Sequence, residues 1–107
     1  MTDDRYNGWS NRETWAVKLH WDNNEGDYLY ISDMAKTYFN RGDAVYVFAE
    51  RLEEEYEEIK ASVFDGEPTK EAKMMVQDVG SDWRVEWVEI ANAYYDEFRE
   101  EKKVVVK

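Results

Sequence analysis

Residues 10–21 read SNRETWAVKLHW, and whether they coil or extend decides the fold class. The opening S-N-R-E is the pattern of a helix capping box, in which Ser10 and Glu13 would each satisfy the other's backbone donor. The apolar residues that follow argue the other way. Trp15, Val17, Leu19 and Trp21 alternate with period two and would share one face of a strand. As a helix, Trp15 and Leu19 lie on one side while Val17 and Trp21 lie nearly opposite, which demands burial on two sides. The cap and the shortage of other strand candidates favour the helix.

Working outward, Asp22-Asn23-Asn24-Glu25-Gly26-Asp27 is a polar break, with Gly26 available for a left-handed C-cap and Asp27 for the next N-cap. Tyr28, Ile31, Ala35, Tyr38 and Phe39 then recur at helical spacing until Asn40-Arg41-Gly42. Asp43 can cap a third helix, whose stripe is the cleanest: Val45, Phe48, Ala49, Leu52, Tyr56, Ile59 and Val63. The segment Phe64-Asp65-Gly66-Glu67-Pro68 is a strong loop signal. Thr69 then caps a short helix bearing Ala72, Met75, Val76 and Val79, closed by Gly80. Ser81 or Asp82 opens the last helix, with Trp83, Trp87, Ile90, Ala91, Tyr94 and Phe98 on its apolar face. Four to five amphipathic helices with short connections predict an all-α bundle over residues 1–107, one helical domain. The tail KKVVVK is rich in β-branched residues and reads as an edge strand, a docked extension over 102–107 or a frayed end. The alternative fold is a small α+β domain pairing strands at 14–21 and 104–106.

The bulk numbers agree with a folded helical chain. A length of 107 residues fits one core, and 16% aromatic residues are too many for a disordered chain. One proline and five glycines leave little punctuation for a many-turned β-sandwich. There are no cysteines, which excludes disulfides, thiolate metal sites and cysteine nucleophiles. The first residues lack the basic and apolar regions of a signal peptide, and no segment reaches membrane-span length, so the expected location is the cytoplasm. A formal charge of −11 disfavours nucleic acid and anionic membranes and favours a basic partner.

Few residues carry a catalytic signal. His20 is the only histidine, so multi-histidine metal sites are excluded, and no serine sits in an activated G-x-S-x-G. The stretch from Asp22 to Asp33 invites a calcium-loop reading, but the register puts Gly26 at the fifth position and Asp33 at the twelfth, where that loop needs a glycine at the sixth and a glutamate at the twelfth. No metal, cofactor or catalytic residue is expected. What stands out is charge. Residues 43–60 hold seven acids against Arg51 and Lys60, and Glu50, Glu53, Glu54, Glu57 and Glu58 fall at i, i+3, i+4, i+7 and i+8, one continuous acidic face. Such a row can serve as a solvated surface or as a mimic of phosphates offered to a basic groove.

The assembled pattern YNGWSNRETWAVKLHWDNNEGDY, followed much later by DWRVEWVEIANAYYDEF, resembles a family of small uncharacterised proteins encoded in phages, plasmids and related mobile elements of bacteria and archaea. The first part of the resemblance rests on Asn7, Gly8, Trp9, Asn11, Glu13, Thr14, Trp15, Val17 and Leu19, then Asp22, Asn23 and Gly26. The second rests on Trp87, Glu89, Ile90 and Ala91. The resemblance implies a helix at 14–21 and a mobile-element context, and it implies no activity. Lys18 and His20 depart from it, standing where more apolar or amide residues are expected.

The leading expectation is therefore a non-enzymatic accessory protein of a virus or mobile element. It would inhibit a host nucleic-acid-processing or defence complex through Glu50, Glu53, Glu54, Glu57 and Glu58. One rival is a ligand-binding or enzymatic pocket around residues 7–15, using Asn7, Asn11, Glu13 and His20. Another is a homodimeric structural module using surplus tryptophan surface. Within residues 7–15, Ser10 and Glu13 are expected to cap and Trp9 and Trp15 to anchor, while Asn7 and Asn11 are the residues expected to hold a buried hydrogen-bond network or a ligand.

Overall fold

The computed structural model describes residues 6–106, with side chains as far as residue 99. Five α-helices, α1 (Arg12–Asn23), α2 (Glu25–Asn40), α3 (Val45–Asp65), α4 (Lys70–Val79) and α5 (Trp87–Val106), follow one another with a single 3₁₀ turn, Asp82–Arg84, before the last. The fold is all-α. Among the described residues no strand forms, and both segments of the α+β alternative are helical: 14–21 within α1, and 104–106 at the end of α5. The tail is accordingly a continuation of α5 rather than an edge strand or a separate extension; Lys107 lies outside the described residues.

The period-two pattern of α1 resolves through residues that hydropathy overlooks. Its buried side chains are Thr14, Ala16, Val17 and Trp21, an i, i+3, i+7 face with Ala16 beside it. Leu19 is only half-buried, and half-buried Trp15 is covered by the Tyr6 ring, edge-on at 4.8 Å. Two-sided burial is thus not needed in full. α1 still packs against three helices, α2, α4 and α5, while α3 packs against α4 and α5.

The other stripes form as their spacing predicts. Ile31 and Ala35 of α2, Phe48, Ala49, Leu52 and Tyr56 of α3, Met75 and Val79 of α4, and Ile90, Ala91, Tyr94 and Tyr95 of α5 form one core with the buried face of α1. Aromatic rings join the helices. Phe48 stacks on Tyr95 at 5.5 Å, and Trp87 lies against both Trp21 and Tyr56, at 6.3 and 5.7 Å. Such ring pairs add about 0.5–1.5 kcal/mol each beyond the area they bury.

The helix ends depart from the sequence reading at five places, the first being that α3 runs through Phe64 and Asp65, both expected in the loop. Asn11, not Ser10, caps α1: its Oδ1 accepts from the Thr14 amide at 2.9 Å, and no capping box forms. Asn24, not Asp27, caps α2, accepting from the Asp27 amide at 3.0 Å, so Gly26 lies inside the helix instead of ending the previous one. α3 begins after Ala44 without a side-chain cap, and Asp43, one residue before that position, pairs with Arg41 at 2.6 Å instead. The last helix starts at Trp87, after the 3₁₀ turn, which leaves Trp83 off its apolar face and 81% exposed. Thr69 and Gly80 end α4 as expected, with Gly80 at φ +69°.

Candidate functional site

Residues 7–15 form a clasp. Asn7 and Gly8 both have positive φ, +50° and +89°, between Tyr6 and Trp9, which exchange two backbone hydrogen bonds of 2.7 and 2.8 Å. An Asn-Gly pair is the preferred sequence for such a two-residue left-handed turn, because amide and glycine tolerate that backbone best. Asn7 is therefore an exposed turn residue, contrary to its expected place in a buried network.

Asn11 does hold that network. It is 7% exposed; its Oδ1 accepts from both the Thr14 amide and the Thr14 hydroxyl, and its Nδ2 donates to the Arg84 carbonyl at 2.8 Å. The fully buried Thr14 hydroxyl in turn accepts from the Glu86 amide at 2.9 Å, satisfying a donor at the entrance to α5. The exposed Ser10 offers its backbone amide to the Glu89 carboxylate, 3.2 Å from each oxygen, and Glu13 lies 4.0 Å from Arg84. Trp9 and Trp15 pack on the core as partly buried anchors. The two widely separated motifs, around 7–15 and 84–91, thus meet across one contact. The side-chain oxygen and nitrogen of Asn11 and the Thr14 hydroxyl are thus all engaged inside the protein.

His20 is not part of this clasp. Its Nε2 lies 2.9 Å from Asp78 of α4, which also pairs with Arg12 at 2.5 Å, and its ring lines a separate cleft between α1, α2 and α4. The expected grouping of Asn7, Asn11, Glu13 and His20 around one pocket is not formed. Among the described residues, no group of histidine and carboxylate side chains is placed to hold a metal ion.

The acidic row is brought together. Glu50, Glu53, Glu54, Glu57 and Glu58 are all exposed and line one shallow groove on α3. The two cations of this helix lean to its flanks. Arg51 is hydrogen-bonded to Glu55 and Lys60 to Asp82, whose hydrogen bond holds the Lys60 ammonium above its ordinary value. Their contacts with the row itself are longer, Arg51 to Glu54 at 3.6 Å and Lys60 to Glu57 at 3.5 Å. Among the described residues, Glu50, Glu53 and Glu58 have no ion-pair partner.

Sequence reading missed the two ends of this face. Tyr46 and Phe64, 62% and 72% exposed, are 18 residues apart. That is five full turns, so they fall on one line about 27 Å long. At 100° per residue, Glu53 and Glu57 sit within about 20° of that line and Glu50 within about 40°, while Glu54 and Glu58 lie about 80° and 120° round to one side of it. Counting only the apolar stripe hid both rings, since neither belongs to it; the same angular count applied to the acidic face would have found them.

Fold and surface together define an all-α bundle that presents one aromatic-bracketed acidic helix. The chain belongs to a family of unknown function, DUF7249, which matches residues 2–104. No curated protein and no solved structure matches it. Among the described residues, no helix is long and apolar enough to cross a membrane.

Proposed function

We propose that this protein is a non-enzymatic binding module that docks the outer face of α3 into a basic, nucleic-acid-binding groove of another protein, blocking that groove. The observation that carries this reading is the row itself. Five carboxylates along nine residues of helix cover about 12 Å, one charge per roughly 3 Å. A single nucleic-acid strand in a duplex presents one phosphate per about 3.4 Å. A groove evolved to hold phosphates meets comparable charge at comparable spacing, and Tyr46 and Phe64 add apolar contact area at either end. The mobile-element resemblance supplies a setting in which a host nucleic-acid-processing or defence complex is the target.

The test is capture from the native host's lysate by tagged wild type and by a variant with the five glutamates changed to Gln. Capture that disappears with the variant and is displaced by added single-stranded DNA supports the proposal. Capture unaffected by the five substitutions removes it.

A further inference from the structure

The cleft that His20 lines has a chemistry of its own. It encloses about 400 Å³, at the lower end of the range for small-molecule sites. It opens where the C-terminal end of α1 meets the first turns of α2 and α4. One wall is apolar, made by Ile59, Ala72, Met74 and Met75, and Met74 is 51% exposed although it is a large hydrophobic residue. Two carboxylates, Asp27 and Glu71, also line it.

Both carboxylates line this concavity from the first turn of a helix, Asp27 in α2 and Glu71 in α4. Neither is ion-paired with a Lys or Arg among the described residues, whereas Asp22, Asp43, Asp78, Asp82 and Asp96 all are. Partial burial, together with the charges of Glu55 and Glu71, raises the Asp27 carboxyl above its ordinary value, as expected where negative charge is crowded and uncompensated. At the helix starts that border the cleft, Asn24 caps the Asp27 amide and Thr69 caps the Ala72 amide, each at 3.0 Å. The Nε2 of His20 is likewise committed to Asp78. An anion would meet two carboxylates, and a neutral apolar molecule would leave them unpaired.

We infer that this cleft binds a small organic cation, an ammonium group on an apolar stem, with the ammonium between Asp27 and Glu71 and the stem against Met74 and Met75. The cation is a free amine or the side chain of a lysine, since both carry the same group on the same kind of stem. The site is independent of the acidic row, because Ile59 is on the side of α3 opposite Glu50.

Titration of protein labelled with ¹³C at the methionine methyl groups tests this directly, with Met34 as an internal reference. Hexylamine is expected to shift Met74 and Met75 saturably, hexanol much more weakly and hexanoate not at all. The Asp27→Asn, Glu71→Gln double variant should bind hexylamine about tenfold more weakly, the effect of losing two exposed charge pairs, with hexanol unchanged. Both substitutions are at exposed first-turn positions, and added salt weakening hexylamine binding to the wild type gives a second reading that needs no variant. Nα-acetyl-lysine methylamide binding as well as or better than hexylamine supports the site and identifies a lysine side chain as its occupant. Hexylamine alone binding supports it with a free amine. Equal binding of hexanol, insensitivity to the double substitution, or no saturable shift at tens of millimolar overturns the proposal.

Discussion

Replacing Asn11 by alanine tests whether the clasp is structural. The substitution removes the α1 cap, worth about 1 kcal/mol. It also strips the Arg84 carbonyl of its Nδ2 donor and the buried Thr14 hydroxyl of its acceptor. Two neglected polar groups in a partly buried contact cost about 1–2 kcal/mol more. The expected loss is therefore about 2–3 kcal/mol, which in a domain of this size lowers Tm by about 10 °C. Asn11→Asp keeps both acceptor bonds to Thr14 but turns a carboxylate toward the Arg84 carbonyl, so it should also destabilise. Asn7→Gly is the matched control: it removes the other amide of the motif at an exposed left-handed turn position, and should stay within about 0.5 kcal/mol of wild type. Urea denaturation followed by tryptophan fluorescence measures all three, with hydrogen exchange at the Thr14 and Glu86 amides reporting the site itself. An Asn11→Ala variant as stable as wild type would refute the reasoning and return this amide to the role of a ligand contact.

Three further outcomes follow from other contacts. Tyr56 is fully buried with its hydroxyl unpartnered among the described residues, while the Tyr94 hydroxyl donates to Asp22 at 3.0 Å; Tyr56→Phe should be neutral or stabilising, and Tyr94→Phe should cost about 1 kcal/mol, both read from chemical denaturation. Burial and the charges of Asp82 and Glu57 push the Tyr56 phenol up to about 12. The unfolded chain then releases that proton near pH 10 while the folded one keeps it, so stability falls between pH 10 and 12 by up to about 1.4 kcal/mol per unit, a slope that denaturation at stepped pH should show reduced in Tyr56→Phe. Like charges at i, i+3 and i+4 along Glu50–Glu58 each cost a few tenths of a kcal/mol. The five-Gln variant should thus melt above wild type at low ionic strength, and salt should narrow the gap; a variant that melts lower would show the row to be structural.

The helical periods of α2 to α5 were legible because each stripe is long and its apolar residues are unambiguous. Phe48, Leu52 and Tyr56 need only the 3.6-residue repeat to be placed on one face. Caps were less legible because local chemistry is degenerate. Ser10 and Asn11 are both good caps, and the choice falls to Asn11 because its second amide group reaches a carbonyl 73 residues away. Trp83 was assigned to the apolar face of the last helix by its i, i+4 spacing from Trp87, on the expectation that this helix starts at Ser81 or Asp82. A 3₁₀ turn, set by where α5 must start to meet Thr14 and Glu89's contact with Ser10, leaves it exposed.

The sequence by itself determined the all-α class, the approximate helices, most of the core and the five-glutamate row, since all of these are readings of periodicity and charge within about twenty residues. The tertiary structure decided what the motifs are for. It joined residues 7–15 to residues 84–89, separated Asn7 from Asn11 in role, placed His20 at a cleft with Asp27 and Glu71, and left Tyr46 and Phe64 exposed at the ends of the acidic face. The reason is physical: a side chain's periodicity is a property of its own helix, whereas its partner, its solvent and its pocket are supplied by the helices that pack beside it.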